Sequence, residues 1–415
     1  MLVGIAGGGI GGLVLAHALR ARGIDCVVFE RDAAAAATAG YRLHLDEKAL
    51  AALARAVPAG VLSALRAIGA GPEAFQQFSI FDHHGRTRLR IRDATGDDVL
   101  MIGRRPLREV LARGLEGVVR WGVRCDGYTA GDDGVRVHLR DQPDVDLDVL
   151  VGADGVRSQV ARRLLGRPAG RPAGITGVAG RTPLTEATAR LAPPDLLRGP
   201  GFVIGPDGIG SFLSLHRPGG GSGGVDRPFA LSGGPGVADP AGEEPYLVWS
   251  VAARPEQYTA DPGELRPDEL LREAQRLTGR WWPALRRLIA EAEVSATAAF
   301  PFWFPAALAP WPLGRVTLLG DAIHPMPPTA GAGAGTAIVD AAHLAQDLAE
   351  RPVAEALETY QRRLLSYAPA AVDEARPPLA WQRRLAHPAV RVLGTRVVLP
   401  AADLVLRAQA ALRRR

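Results

Sequence analysis

At 415 residues the chain is long enough for two to three domains, and 47% hydrophobic against 22% charged residues is the balance of a chain with a sizeable buried core, which excludes global disorder. Its 49 glycines and 33 prolines follow no G-X-Y period, which excludes a collagen. The net charge of +5 is small for this length, and the arginines are spread along the chain apart from Arg413, Arg414 and Arg415, which argues against a nucleic-acid partner.

Leu2-Val3-Gly4-Ile5-Ala6 reads as a buried parallel strand that stops at glycines. Ile10 to Arg22 then carries helical apolar spacing through Leu13, Val14, Ala18 and Leu19, closed by Gly23. Cys26 to Phe29 predicts a second strand ending in Glu30, so the chain opens as a βαβ unit. The apolar start mimics a secretion signal, but Met1 to Leu15 holds no basic residue, so it is expected to belong to the mature fold. Pro106 to Leu115 predicts a helix, Val123 to Leu139 a hairpin around Asp132-Asp133-Gly134, and Val149 to Val151 another buried strand. From about Ile175 to Phe304 the texture becomes strand-like, with segments at Phe202–Ile204, Ser211–His216 and Tyr246–Val251. Between the last two, Arg217 to Pro245 is dense in glycine and proline and reads as a surface loop. Helices are predicted over Pro267–Thr278 and Trp281–Ala292, a strand over Val316–Leu319, and helices again over Val339–Glu350, Val353–Ala375 and the stretch after Pro388. No apolar run reaches the ~18 residues of a membrane span. Cys26 and Cys125 are too few for a disulfide scaffold or a cysteine metal site and fit a reducing cytoplasm, and the nine histidines are scattered, so no metal is expected.

Three motifs carry chemistry. The first is Gly7-Gly8-Gly9-Ile10-Gly11-Gly12, between a strand and a helix. Gly7 permits a tight turn, Gly9 lets a pyrophosphate approach the backbone, and Gly12 allows the helix to sit close to the strand, while the helix N-terminus offers free N–H groups to phosphates. Glu30, at the end of the second strand and next to Arg31, can accept both ribose hydroxyls of an adenosine and would repel a 2′-phosphate, which favours FAD or NAD over NADP at this site. The second motif is Asp148 to Ser158, with Asp154 beside Gly155, and the third is Leu318 to Gly333, with Gly320-Asp321 at the end of a strand. An Asp at a strand-to-loop junction is a good acceptor for sugar-like hydroxyls. A helix beginning near Gly333 would turn the positive end of its dipole toward the loop of the third motif. His324 is expected to be structural.

In this order the three motifs resemble the single-component class A flavin monooxygenases, the aromatic-hydroxylase-like flavoproteins, from Met1 to about Leu348. The resemblance implies an α/β fold: an FAD-binding Rossmann-like domain (1–75, 100–174 and 305–350) interleaved with a mixed or antiparallel sheet that binds substrate (76–99 and 175–304), followed by C-terminal helices (351–415). It implies that Gly7, Gly9, Ile10, Gly11, Gly12, Glu30 and Arg31 hold the ADP half of FAD, that Arg42 lies near the flavin and the NAD(P)H path, and that Arg104 contacts FAD. Cys125 falls where a backbone group meets the adenine, Asp154 at the aspartate tied to both FAD and NAD(P)H use, and Asp321 at the ribityl chain. Pro328, Gly331, Ala332 and Gly333 match the loop beside the isoalloxazine. Ala332 and Gly335 stand where the family usually has Gln and Asn, and Ala161 at a common Arg position; the first two losses remove side-chain donors and keep the backbone ones.

The reaction so implied is reduction of FAD by NAD(P)H, addition of O2 to give a flavin hydroperoxide, and transfer of one oxygen to a small molecule by hydroxylation or epoxidation. The strands of the second domain supply Phe202, Phe212, His216 and Trp249, with Trp303 just beyond, as candidate substrate contacts. Tyr246 and Trp249, three apart, face opposite sides of their strand, so at most one can line a cavity. The scarcity of charge there points to an apolar aromatic or polycyclic substrate of natural-product metabolism. No side chain stands out as the catalytic group. A flavin reductase or oxidase, or a silent flavin-binding protein, is the alternative, and the expected state is a cytoplasmic monomer or homodimer.

Overall fold

The computed structural model describes residues 1–38, 40, 42–92, 98–217 and 244–413; the loop read at Arg217–Pro245 therefore falls, from 218 to 243, outside the described residues. The elements in chain order begin with β1 (Leu2–Ala6), α1 (Ile10–Arg20), β2 (Asp25–Glu30), β3 (Arg42–Leu45), α2 (Glu47–Ala56) and α3 (Ala59–Ile68). There follow β4 (Gln77–Asp82), β5 (Thr87–Arg92), β6 (Leu100–Gly103), α4 (Arg104–Ala112), β7 (Val119–Trp121) and β8 (Cys125–Ala130). Next come β9 (Val135–Leu139), β10 (Val145–Leu147), β11 (Val149–Gly152), α5 (Gln159–Leu165), β12 (Gly170–Pro183) and α6 (Glu186–Ala189). Then β13 (Gly201–Ile204), β14 (Gly210–His216), β15 (Tyr246–Ala253), α7 (Pro267–Leu277), α8 (Pro283–Ala290), β16 (Ala298–Pro305) and β17 (Val316–Leu318) lead to the closing helices. These are α9 (Gly333–Glu350), α10 (Val353–Glu374), α11 (Arg376–Arg384), α12 (Pro388–Leu393) and α13 (Leu399–Arg413), the last two joined by a π turn.

The chain divides into two compact units. The first comprises Met1–Ala67, Ile102–Ala173 and Trp303–Arg376. At its centre is a five-stranded sheet ordered β17-β11-β1-β2-β7, parallel at every pairing. Val3, Ile5, Val149, Leu150, Val151 and Leu318 are almost wholly buried, the run of apolar residues that a parallel sheet covered on both faces requires. Helix α1 is buried from Ile10 to Leu19, so it is core on all sides, and it packs against α9, itself flanked by α2 and α10. An antiparallel sheet, β10-β9-β8, is the predicted hairpin with one further strand.

The second unit comprises Ile68–Met101, Gly174–Phe302 and Pro377–Arg415 and is built on a seven-stranded mixed sheet, β16-β12-β15-β14-β13-β4-β5. Strand alternation sorts its two faces. Leu247, Trp249, Val251 and Ala253 of β15, with Leu213 and Leu215 of β14 and Val203 of β13, form one core with Leu270, Ala274 and Leu277 of α7 and Leu285, Leu288 and Ile289 of α8. The residues between them, including Phe202, Phe212, Ser214, His216, Tyr246, Val248 and Ser250, therefore belong to the opposite face. Helix α13 lies along the edge strand β5, where Asp403 accepts the Arg90 backbone N–H at 2.9 Å. The helices beyond residue 350 are thus shared, α10 with the first unit and α11–α13 with the second.

Candidate active site

In the first unit the glycine-rich turn connects β1 to α1 as its spacing predicts. Gly7 adopts φ +110°, a conformation L side chains rarely take, and a Cβ there would fall 2.3 Å from the Ala153 carbonyl oxygen. A Cβ on Gly12 would fall 2.0 Å from the Gly7 carbonyl oxygen, so helix and turn meet at backbone distance. At Gly9, by contrast, a Cβ would meet nothing within 4 Å, and no side chain caps the helix that begins at Ile10. The first N–H groups of α1 therefore have no side-chain cap, with the positive end of the helix dipole behind them.

Glu30 ends β2 as expected and is 7% exposed. Its Oε2 accepts the Gly8 N–H at 2.7 Å and its Oε1 the Asp32 N–H at 2.9 Å. Arg108 completes this corner, and the sequence reading missed it. Its guanidinium, 3% exposed, donates to the Gly8 carbonyl at 2.9 Å, lies 3.1 Å from Glu30 Oε2 and 2.7 Å from Asp32 Oδ2, and rests on the Trp121 ring. One signal was available: Arg108 falls on the buried stripe of α4 between Leu107 and Leu111, where an apolar residue is the rule. Arg31, next in sequence to Glu30, is exposed.

Asp154 follows β11 and sits against Gly7. Its Oδ2 accepts the Gln159 N–H at 2.8 Å at the start of α5, while its buried Oδ1 has no partner among the described residues, and burial raises its pKa. Cys125 opens β8 and is half-buried; burial, with the nearby Asp154 charge second, pushes its thiol up to about 11, which keeps the sulfur neutral. Arg104 begins α4; its Nε is likewise buried and unpartnered among the described residues, and burial lowers its pKa against the opposing pull of Asp321. Arg42 lies half-buried on β3.

After β17 the chain turns through Gly320-Asp321. Asp321 keeps exposed surface although protein surrounds it; desolvation raises its pKa while His324 and Arg104 pull it down. His324 is fully buried, with Nε2 2.6 Å from Asp340 Oδ2, and that same oxygen accepts the Gly320 N–H at 2.8 Å. Tyr367 donates to the other oxygen of Asp340 at 2.5 Å. Burial opposes a charge on His324, and the Asp340 carboxylate outweighs it and raises the pKa. His324 is therefore a strut beneath the Asp321 turn. Pro328 is exposed, Gly331 takes φ +69°, and α9 begins at Gly333 with Ala332 at its N-cap and no side chain capping it. Gly11 lets the first turn of α1 sit close to the second turn of α9, since a Cβ there would lie 3.2 Å from Ala337 Cβ.

Two uncapped helix starts side by side, a buried carboxylate oxygen and a buried guanidinium nitrogen without partners, and an acid at each end fit a long dianionic dinucleotide. FAD suits this set: the α1 terminus for the pyrophosphate, Glu30 for the adenosine ribose, Asp321 for the ribityl chain and the α9 terminus for the flavin pyrimidine.

Comparison with known proteins agrees. The model of the FAD binding domain family matches residues 1–189 and 259–375. Aurachin C monooxygenase/isomerase of Stigmatella aurantiaca is 31% identical over 370 residues, covering 86% of this chain and 83% of that protein. The chain belongs to the class A FAD-dependent monooxygenases. Another member, 3-amino-4-hydroxybenzoate 2-monooxygenase of Streptomyces cremeus, is 30% identical over 367 residues, 86% of this chain and 82% of its own. Among solved structures, a variant of HpxO from Klebsiella pneumoniae complexed with FAD superposes with a TM-score of 0.72 over 98% of each chain at 23% identity, which supports the fold. The protein is thus an FAD-dependent monooxygenase of the aromatic and natural-product type.

The candidate substrate residues divide. Phe202 and Phe212 are cross-strand partners on the face of the second unit's sheet that α7 and α8 leave uncovered, and His216 pairs with Tyr246 on that face, rings 4.6 Å apart. Trp249, expected among them, is fully buried on the helix-covered face because it is odd-numbered with Leu247 and Val251; Tyr246, itself 4% exposed, stands on the opposite face instead. Trp303 belongs to the first unit, where it and Pro325 both flank Gly170. Among the described residues no helix is long and apolar enough to cross a membrane and no cluster fits a metal ion.

Proposed function

We propose that this monooxygenase uses NAD(P)H and O2 to hydroxylate or epoxidise a largely apolar aromatic or polycyclic small molecule. When bound, the FAD supplies the redox chemistry that takes electrons from NAD(P)H and delivers one oxygen atom of O2 to the substrate. The chain's own residues bind, orient and shield. The α1 terminus and Glu30 would fix the ADP half, and Asp321 with Arg104 the ribityl region. The α9 terminus would favour negative charge on the pyrimidine ring, by ~1 kcal/mol. Arg42 and Asp154 are assigned to the nicotinamide path.

One observation carries the substrate class. Across the described paired residues of β12, β15, β14 and β13, the only ionic side chain on the face opposite α7 and α8 is Arg181, and Glu293 already binds it at 2.8 Å. The rest is aromatic, aliphatic or hydroxyl. A small benzoate would find no unpaired cation there, whereas a neutral ring system would find Phe202, Phe212 and the His216–Tyr246 pair. Relatives named for their substrates range from 3-amino-4-hydroxybenzoate to zeaxanthin, so the family name alone does not decide.

The test is NAD(P)H oxidation, O2 uptake and product mass across a panel of neutral polycyclic compounds and charged benzoates. Substrate-stimulated consumption with gain of one oxygen atom is expected for the neutral group. A preference for small benzoates would sink the substrate assignment. Substrate reduction without O2 uptake would identify a reductase, and FAD binding without turnover a silent flavin-binding protein.

A further inference from the structure

The second unit ends in a helical segment whose surface is at odds with an aqueous exterior. Among the described residues, nine of the fourteen exposed large apolar side chains lie between Trp381 and Leu406. Val390, Leu393, Val397, Ala401, Leu404 and Ala408 recur at intervals of three and four and are all exposed, Leu404 at 71%. The stretch is an amphipathic helix turned outward. A contiguous exposed apolar patch of this kind marks an interaction surface.

Charge identifies the partner. Residues 377–415 contain eight arginines and one acid, so this segment carries +7 while the whole chain carries +5. The single acid is used internally: Asp403, 9% exposed, accepts the Arg90 N–H at 2.9 Å and pairs with Arg90 and Arg407. That bond ties the inner side of α13 to the edge of the sheet and leaves the outer side to apolar residues and arginines, among them the exposed Arg384, Arg396 and Arg407. Two copies meeting through this face would set one net-positive segment against another. An acidic lipid surface answers both features: the apolar residues enter the acyl boundary while the arginine stems reach back to the headgroups. No described helix is suited to spanning, so the contact is one of lying on the surface.

We propose that α12 and α13, with Trp381, form a peripheral docking surface for an anionic lipid bilayer. Each arginine near such a surface is worth about fivefold in partitioning, and the electrostatic share falls with salt. The experiment is flotation of the FAD-loaded full-length protein with phosphatidylcholine vesicles, with and without phosphatidylglycerol, at low and high salt. Wild type should float with the phosphatidylglycerol vesicles only, and less at high salt. Val397→Asp/Leu404→Asp should stay at the bottom. Arg384→Glu/Arg396→Glu should lose roughly 25-fold or more in partitioning. All four side chains are exposed, so flavin content and unfolding midpoint, measured alongside, should not change. The proposal is overturned if wild type ignores both vesicle types or if the variants float like wild type. It is also overturned if wild type is a dimer that Val397→Asp/Leu404→Asp dissociates while neither binds lipid, because the face would then join two copies.

Discussion

Arg108→Met separates a buried electrostatic support from ordinary helix packing. The substitution keeps the aliphatic stem's volume and removes the guanidinium that reaches the Gly8 carbonyl, Glu30 and Asp32 at 2.9, 3.1 and 2.7 Å. Glu30, 7% exposed, is left without its cation, and breaking a buried pair by removing one partner costs about 3–5 kcal/mol. Glu30 retains its bonds from the Gly8 and Asp32 N–H groups, which places the expected loss at the lower end, about 3 kcal/mol. For a unit of roughly 200 residues that is a fall of ~6–12 °C in Tm. The assay is urea unfolding of the FAD-free protein, so that ligand binding cannot mask the loss. Glu30→Gln on the Arg108→Met background should recover at least ~1 kcal/mol, because the uncompensated charge is then gone. A loss below ~1 kcal/mol from Arg108→Met, or strict additivity in the cycle, would refute the assignment of Arg108 as the counter-charge of the glycine turn.

The remaining expectations probe the two units separately. Gly12→Ala should destabilise the apoprotein by more than ~2 kcal/mol in denaturant, since its Cβ would meet the Gly7 oxygen, while Gly9→Ala should leave stability unchanged and weaken FAD binding in a fluorescence titration. Asp321→Ala should weaken FAD retention at least about tenfold, with the apoprotein as stable as wild type, because desolvation already disfavours that carboxylate. His324 binds its proton more tightly folded than unfolded, so the stability it lends is complete below pH 6.5 and is lost as pH rises through its folded value; Asp340→Asn should flatten that alkaline decline in unfolding experiments across pH. Trp249→Ala should cost about 3–5 kcal/mol in denaturant, as deletion of a fully buried indole does, whereas Phe212→Leu should leave stability within ~1 kcal/mol and change KM for the preferred substrate.

Much of this was legible because backbone geometry imposes it. The turn at Gly7 to Gly12 needs a positive φ and a backbone-to-backbone approach, and only glycine supplies them, so the residues announce the shape. The α9 start was legible only in part: the glycine-rich motif pointed to Gly333, while apolar spacing began the helix at Val339, because its first turn is built of small residues. Arg108 was not, because its role depends on what three separate segments bring to it, and the apolar spacing of α4 draws the eye past the one charged residue in its stripe.

Trp249 marks a different limit. Alternation says that Tyr246 and Trp249 face apart but not which face is covered, and that choice is made by α7 and α8, which follow in sequence. Side-chain size favours tryptophan for a ligand pocket, yet a wide sheet covered by two helices needs large apolar residues in that core, and Trp249 on the interior strand β15 fills it. Phe202, Phe212, His216 and Tyr246 lie outside the core that α7 and α8 cover. Backbone geometry does not dictate their identity as it dictates the glycines of the cofactor turn, which is why a sequence can declare an FAD cradle residue by residue and still withhold the substrate.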